Sequence, residues 1–271
     1  MGGTILAMVI AIAILAPVLA PADPQAINVR NRLAPPSAES ILGTDHLGRD
    51  VLSRILHGAR VSMIVGITVT IGATIGGVFI GLLGGYGHEI VRSITMRVVD
   101  GMMAFPGILL ALALVAVLGP SLTNVMIALS VVYMPRMGRI VQAAVLQIKV
   151  RDYVEAAVAL GGTQPQIVLR HILPGTLASI LVQGTFAFAH AVISEAGLSF
   201  LGVGAPPDIP TWGNVLSTGR NYMLVAPWIT IFPGLAIFVV VISLNILGDG
   251  LRDLSDPHSQ FRKTSVSQQS Q

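Results

Sequence analysis

The chain has 271 residues, of which 53% are hydrophobic and 11% charged, with a mean hydropathy of +0.78. So apolar a chain is an integral membrane protein and not an ordinary soluble domain. It has no cysteine, which removes thiol catalysis, disulfides and cysteine-ligated metals. The formal charge of +3 is arginine-based, Lys149 and Lys263 being the only lysines; without a basic stripe interleaved with aromatics it speaks to membrane topology and not to nucleic acid.

Six apolar stretches reach the roughly 20 residues a bilayer span needs: 4–20, 61–84, 99–118, 122–145, 176–198 and 227–247. Backbone groups in lipid must bond within their own segment, so the expected class is all-α with six transmembrane helices. The first stretch, TILAMVIAIAILAPVLA, lacks the basic n-region of a secretory leader and reads as a span. Residues 1–60 are expected to form this helix and an external segment, 61–257 the main transmembrane domain, and 258–271 a polar, disordered tail.

The external segment ends in GTDHLGRDVLSRILHGAR, residues 43–60. Thr44 or Asp45 is expected to cap its helix, with Arg49, Asp50, Arg54 and Arg60 either solvated or lacing it to the membrane surface or a partner. In 61–84 and just beyond, Gly72, Gly76, Gly77, Gly81 and Gly85 fall at spacings that let helix backbones touch. The third span opens with Asp100, expected to pair with Arg97 one turn earlier, and is bent at Pro106.

From Arg136 to Arg170 the cations Arg136, Arg139, Lys149, Arg151 and Arg170 suggest a cytoplasmic segment. Counting spans back puts the N-terminus inside and 21–60 outside, although five arginines in 21–60 (Arg30, Arg32, Arg49, Arg54 and Arg60) weaken the charge rule taken alone.

The longest polar break is RDYVEAAVALGGTQPQIVLRHILPG, residues 151–175. Asp152 is expected to cap a short helix that Gly161-Gly162 ends, glycine alone taking the left-handed position freely. Thr163 with Gln166 predicts a capping box for a second helix, with Pro165 in its first turn and Pro174-Gly175 closing it. Small side chains at Ala156, Ala157 and Ala159 would let another protein approach closely, and Glu155 offers one charged contact; a plain linker is the alternative reading.

The fifth span holds His190 and Glu195. His190, among Phe186, Phe188 and Ala191, reads as a packed neutral histidine. Glu195 needs a partner or water, since a charge at membrane depth costs about 3 kcal/mol. After it, APPDIPTWGNVL suggests a rigid outer cap with Trp212 at the interface. The last span contains Pro233 and finishes as NILGDGLRDLSDP.

EAAVALGG, followed at a distance by His171 and Leu173-Pro174, resembles the EAA loop of permease subunits in binding-protein-dependent ABC importers. The GTDHLGRDVLSR run, SEAGLSFLGVG with the following PTWG, and the C-terminal run resemble the dipeptide/oligopeptide branch of that family. The resemblance covers residues 43–257 and implies a cytoplasmic coupling helix between spans 4 and 5 that docks into a separate ATPase subunit. Glu155, Ala156, Ala157, Gly161, Gly162, His171 and Pro174 are then the coupling residues. Asp100, His190 and Glu195 become candidates for the translocation path or gate, Glu195 either meeting a peptide ammonium group or anchoring the partner permease. Asp45, Arg49, Asp50 and Trp212 mark the external face.

Implied partners are a second homologous permease, two ATP-binding subunits, an extracytoplasmic substrate-binding protein, a peptide substrate and membrane lipid, with no nucleic acid. The implied location is the bacterial inner membrane, with both termini cytoplasmic. The chain shows no phosphate-binding loop, zinc-protease motif or nucleophile elbow, so no catalytic role or cofactor is expected in it; ATP and Mg would be held by the ATPase subunits. Nickel chelates, haem, glutathione or opines are alternative substrates within the family. A secondary carrier would want unwound half-helices at the midplane of paired inverted repeats, and a membrane-embedded enzyme would want more than His190 and Glu195.

Overall fold

The computed structural model describes residues 1–255. The tail expected at 258–271, and the end of the NILGDGLRDLSDP run, lie outside the described residues.

Among the described residues ten α-helices follow one another: α1 (Gly2–Leu19), α2 (Val51–Tyr86), α3 (Glu89–Met103), α4 (Gly107–Leu118), α5 (Leu122–Ile148), α6 (Asp152–Ala159), α7 (Gln164–Ile167), α8 (Leu173–Phe200), α9 (Trp212–Gly219) and α10 (Trp228–Ser255). Among the described residues there is no strand, only an isolated bridge between Thr44 and Asp50, as expected where amide groups must bond within their own segment.

α1, α2, α10 and the continuous run Gln164–Phe200 are each long and apolar enough to cross a membrane. The expected third span is not one helix. Pro106 has no N–H to continue the ladder, and the chain turns by 93° between α3 and α4. α4 alone, at 12 residues, is only about 18 Å long against a hydrocarbon core of about 30 Å. α5 has spanning length at 27 residues and carries Arg136 and Arg139 inside it. The polar segment expected from Arg136 onward therefore begins only after Ile148.

α2 is the strut of the fold and packs most extensively on α5. Its glycines make this possible. A Cβ at Gly77 would stand 2.5 Å from that of Met137, and one at Gly81 2.5 Å from that of Val141, so the helices meet backbone to side chain with nothing between them. One core joins Val65 and Val69 of α2 to Ala111 and Val115 of α4, Leu129 of α5 and Leu198 of α8. A second joins Ala13 of α1, Met63 of α2, Val192 of α8, Trp212 of α9 and Leu244 of α10. Outward-facing Ile64, Ile71, Ile75, Phe79, Phe238 and Ile242 stay exposed, as a lipid-facing surface requires.

Candidate functional site

The two segments singled out by sequence lie at opposite ends of α2, whose 36 residues give about 54 Å of helix.

At the C-terminal end, α6 and α7 are held by a single small core. Val154, Ile167 and Ile172 pack with Met137, Val141 and Val145 of α5, edged by Val78, Leu82 and Tyr86 of α2. Lys149 adds a bond from Nζ to the Gly85 carbonyl, 3.2 Å. α6 ends as expected: Gly161 adopts φ +79°, its N–H donates to the Val158 carbonyl at 2.9 Å, and Gly162 N–H donates to that of Ala157 at 3.0 Å. That pair of bonds is the Schellman closure.

Asp152 does not cap the helix; Arg151 takes that position without a side-chain bond, and Asp152 and Glu155 occupy the first turn, where acids favour the positive end of the helix dipole. Thr163 N–H donates to Gln166 Oε1 at 3.2 Å, the expected capping box with Pro165 in the first turn. The second helix is not closed at Pro174-Gly175. A π turn over Val168–Ile172, with Leu173 N–H reaching the Val168 carbonyl, leads straight into α8. Pro174 then falls in the first turn of α8, and the wider turn before it accommodates its ring and missing donor.

Val154 is the only buried residue of α6. Tyr153, Glu155, Ala156, Val158, Ala159 and Leu160 are open, Leu160 at 88% exposure. Eight residues this exposed gain too little from one buried valine to be a packed helix for its own sake. Ala157, Gly162 and His171 are half-buried, while Gly161 and Pro174 are exposed.

At the other end, residues 43–50 are a tight loop and not the first turn of a helix. Asp50 is the cap of α2, its Oδ1 accepting from Ser53 N–H at 2.7 Å. Asp45 is 1% exposed. Its Oδ1 accepts from the N–H groups of Leu47 (2.8 Å) and Arg49 (3.0 Å), and its Oδ2 from Arg49 Nε at 2.7 Å, with Arg54 Nε 3.8 Å away. Arg49 and Arg54 are thus buried on one carboxylate; of the cations expected to be solvated, only Arg60 in this run is exposed. Trp212 is buried, not interfacial: Nε1 donates to the Ile55 carbonyl at 3.0 Å, and its N–H to Ser62 Oγ at 3.2 Å. A cavity of about 540 Å³, lined by His46, Asn214, Arg220 and Tyr222 among others, opens beside this cap.

Glu195 lies under the same cap at 1% exposure. Its Oε1 accepts from Ser199 Oγ and Thr211 Oγ1, each at 2.8 Å, and Thr211 Oγ1 accepts in turn from Asn214 N–H at 3.0 Å. Within this chain Glu195 ties α8 to the start of α9. Ser199, Thr211 and Asn214 were not singled out by sequence, since single hydroxyls and amides carry no spacing signal.

Asp100 pairs with Arg139 of α5 and not with Arg97. His190 is exposed, its ring stacked on that of Tyr133 with centroids 6.2 Å apart. Tyr133 Oη is 2.6 Å from Ser194 Oγ. Tyr133, Ser194 and the position of Arg136 on this face escaped the sequence reading, although Pro135-Arg136 inside an apolar stretch was a visible sign.

The family described as binding-protein-dependent transport system inner membrane component matches residues 77–260, and the N-terminal TM domain of oligopeptide transport permease C matches residues 1–36. The dipeptide transport system permease protein of Alkalihalophilus pseudofirmus is 44% identical over 256 residues, covering 94% of this chain and 84% of that protein. The di/tripeptide transport system permease protein of Pseudomonas aeruginosa is 40% identical over 264 residues, covering 95% and 87%. A glutathione transport system permease protein of Escherichia coli is 44% identical over 252 residues, covering 92% and 83%. Among solved structures, an inward-facing MetNI methionine ABC transporter chain matches with a TM-score of 0.62 at 18% identity, covering 76% of this chain and 97% of that one.

Proposed function

Because the chain belongs to the family of binding-protein-dependent transport system inner membrane components, we propose that it is the transmembrane permease subunit of an ATP-driven importer of dipeptides or oligopeptides. The observation that carries this reading is α6, a capped, almost wholly exposed helix fixed to the end of the α2–α5 pair. It docks through Tyr153, Glu155, Ala156, Val158 and Leu160 into a separate ATP-binding subunit, which holds ATP and Mg. A second homologous permease, a second ATP-binding subunit and an extracytoplasmic binding protein complete the complex. In the bacterial inner membrane the bent α3–α4 pair and α5 bring the spans to six, with α6 and both termini on the cytoplasmic side and the Asp45 cap outside. Glutathione is the second substrate reading, favoured by the 44% identity to a glutathione permease.

ATP-dependent uptake of a labelled dipeptide into proteoliposomes holding the assembled complex tests this. Glu155→Lys, which reverses charge at the docking face, and Gly161→Pro, which removes the closing N–H and demands negative φ, are both expected to abolish uptake while ATP hydrolysis becomes uncoupled or the ATPase dissociates. Normal import by both variants refutes the coupling role.

A further inference from the structure

α5, taken above as a span, holds an exposed arginine near its middle. Arg136 is 14 residues into α5 and 12 from its end, about 21 Å along the axis, and it is exposed. No ion pair or hydrogen bond holds it within the described residues, in contrast to Arg139 on Asp100. An unpaired guanidinium at that depth cannot face lipid; it faces water or a counter-charge.

Its surroundings are those of a pocket. A cavity of about 320 Å³ is lined by Met102, Met103, Phe105, Val132, Tyr133 and Arg136, together with Gly107, Ile108 and Leu110. The space opens at the 93° break between α3 and α4, with lining residues on both sides of it. The ring of His190 on α8 is stacked on that of the lining residue Tyr133, with centroids 6.2 Å apart, so α8 adjoins the opening through Tyr133. Methionine and phenylalanine give a deformable apolar wall, and the guanidinium gives a planar fork matched to a carboxylate.

We propose that Arg136 and this pocket form a subsite of the translocation path that takes the terminal carboxylate of a small peptide, with the adjoining side chain against Met102, Met103 and Phe105. The identity of the ligand rests on the transport reading above; the anion site itself does not. Carboxylate is favoured because the pocket presents a cation with no acidic residue among its lining, and the methionine wall accepts side chains of varied shape.

The chain lacks cysteine, so Met103→Cys places a single thiol at the pocket edge. In the assembled complex, with partner subunits freed of cysteine, its modification by an anionic and a cationic methanethiosulfonate is compared, each normalised to its rate with a free thiol. The anionic reagent is expected to react about tenfold faster than the cationic one, as a nearby unit charge in a partly wet site implies. Arg136→Gln is expected to bring the ratio near one, and Arg136→Lys to keep most of it. Ala-Phe is expected to slow modification, and its C-terminal amide to leave it unchanged.

An unchanged ratio in Arg136→Gln, equal protection by acid and amide, or a thiol inert to both reagents because a partner subunit seals the face would overturn the proposal. Expected thiol behaviour without dipeptide uptake would support the anion site and refute peptide import.

Discussion

The carboxylate of Asp45 is the place where a minimal change should have the largest structural effect. Asp45→Asn keeps the size of the side chain and an oxygen for the Leu47 and Arg49 N–H groups, but removes the charge that faces Arg49 at 2.7 Å and Arg54 at 3.8 Å. Arg54 is 1% exposed, and its Nε and Nη2 have no hydrogen-bond partner; besides the ion pair its contact is a 3.4 Å bond from Nη1 to the Pro24 carbonyl. Two arginines would be left buried without a counter-charge, and breaking a buried pair in this way costs about 3–5 kcal/mol.

For a chain of this size that corresponds to a fall of about 10 °C in apparent unfolding temperature, measurable on the detergent-purified complex by the loss of the monodisperse species on heating. Adding Arg54→Met should recover part of the loss, because it removes one stranded charge and replaces it with apolar volume. An Asp45→Asn variant within about 1 kcal/mol of wild type, or no recovery in the double variant, would show that water reaches these arginines and that the cap is not held as described.

Gly81→Val is expected to weaken the α2–α5 contact by about 1–3 kcal/mol or more, since its Cβ would stand 2.5 Å from that of Val141; Gly101→Ala, with nothing within 4 Å, is the matched control, and equal yields of folded chain would refute the close approach. His46 is half-buried against the Tyr222 ring, 5.5 Å between centroids, and burial, aided by Arg49, Arg32 and Arg54, holds its pKa below 6.5 despite Asp45. Between that lowered value and 6.5 the folded state binds fewer protons than the unfolded chain, so stability rises with pH across the window and falls on acidification below about 6.5. His46→Gln should flatten that slope in the unfolding temperature measured from pH 5 to 7.5; an unchanged slope would refute the assignment.

Local rules made some features readable. Gly161 terminates α6 because left-handed backbone is a one-residue requirement, and the glycines of α2 announce close packing because their spacing repeats on one face. What failed depended on partners far away in sequence. Trp212 is 157 residues from the Ile55 carbonyl it binds, so its burial left no trace beside it, and an interfacial reading was the natural local one. Asp100 chose Arg139 over Arg97 because the break at Pro106 swings α3 against α5. Asp50 caps α2 in place of Asp45 because Asp45 is taken up by the loop and two arginines. Pro174 read as a helix end, yet one π turn absorbs it.

The same π turn sets the length of the body that α7 and α8 form. Gln164 to Phe200 is one helical body of 37 residues, about 55 Å from end to end. Pivoted near one end, a rotation of only 5° displaces the other by about 5 Å, the width of an extended backbone. Small angular changes where α7 begins are therefore large translations where Ser199 and Glu195 fasten α8 to the start of α9.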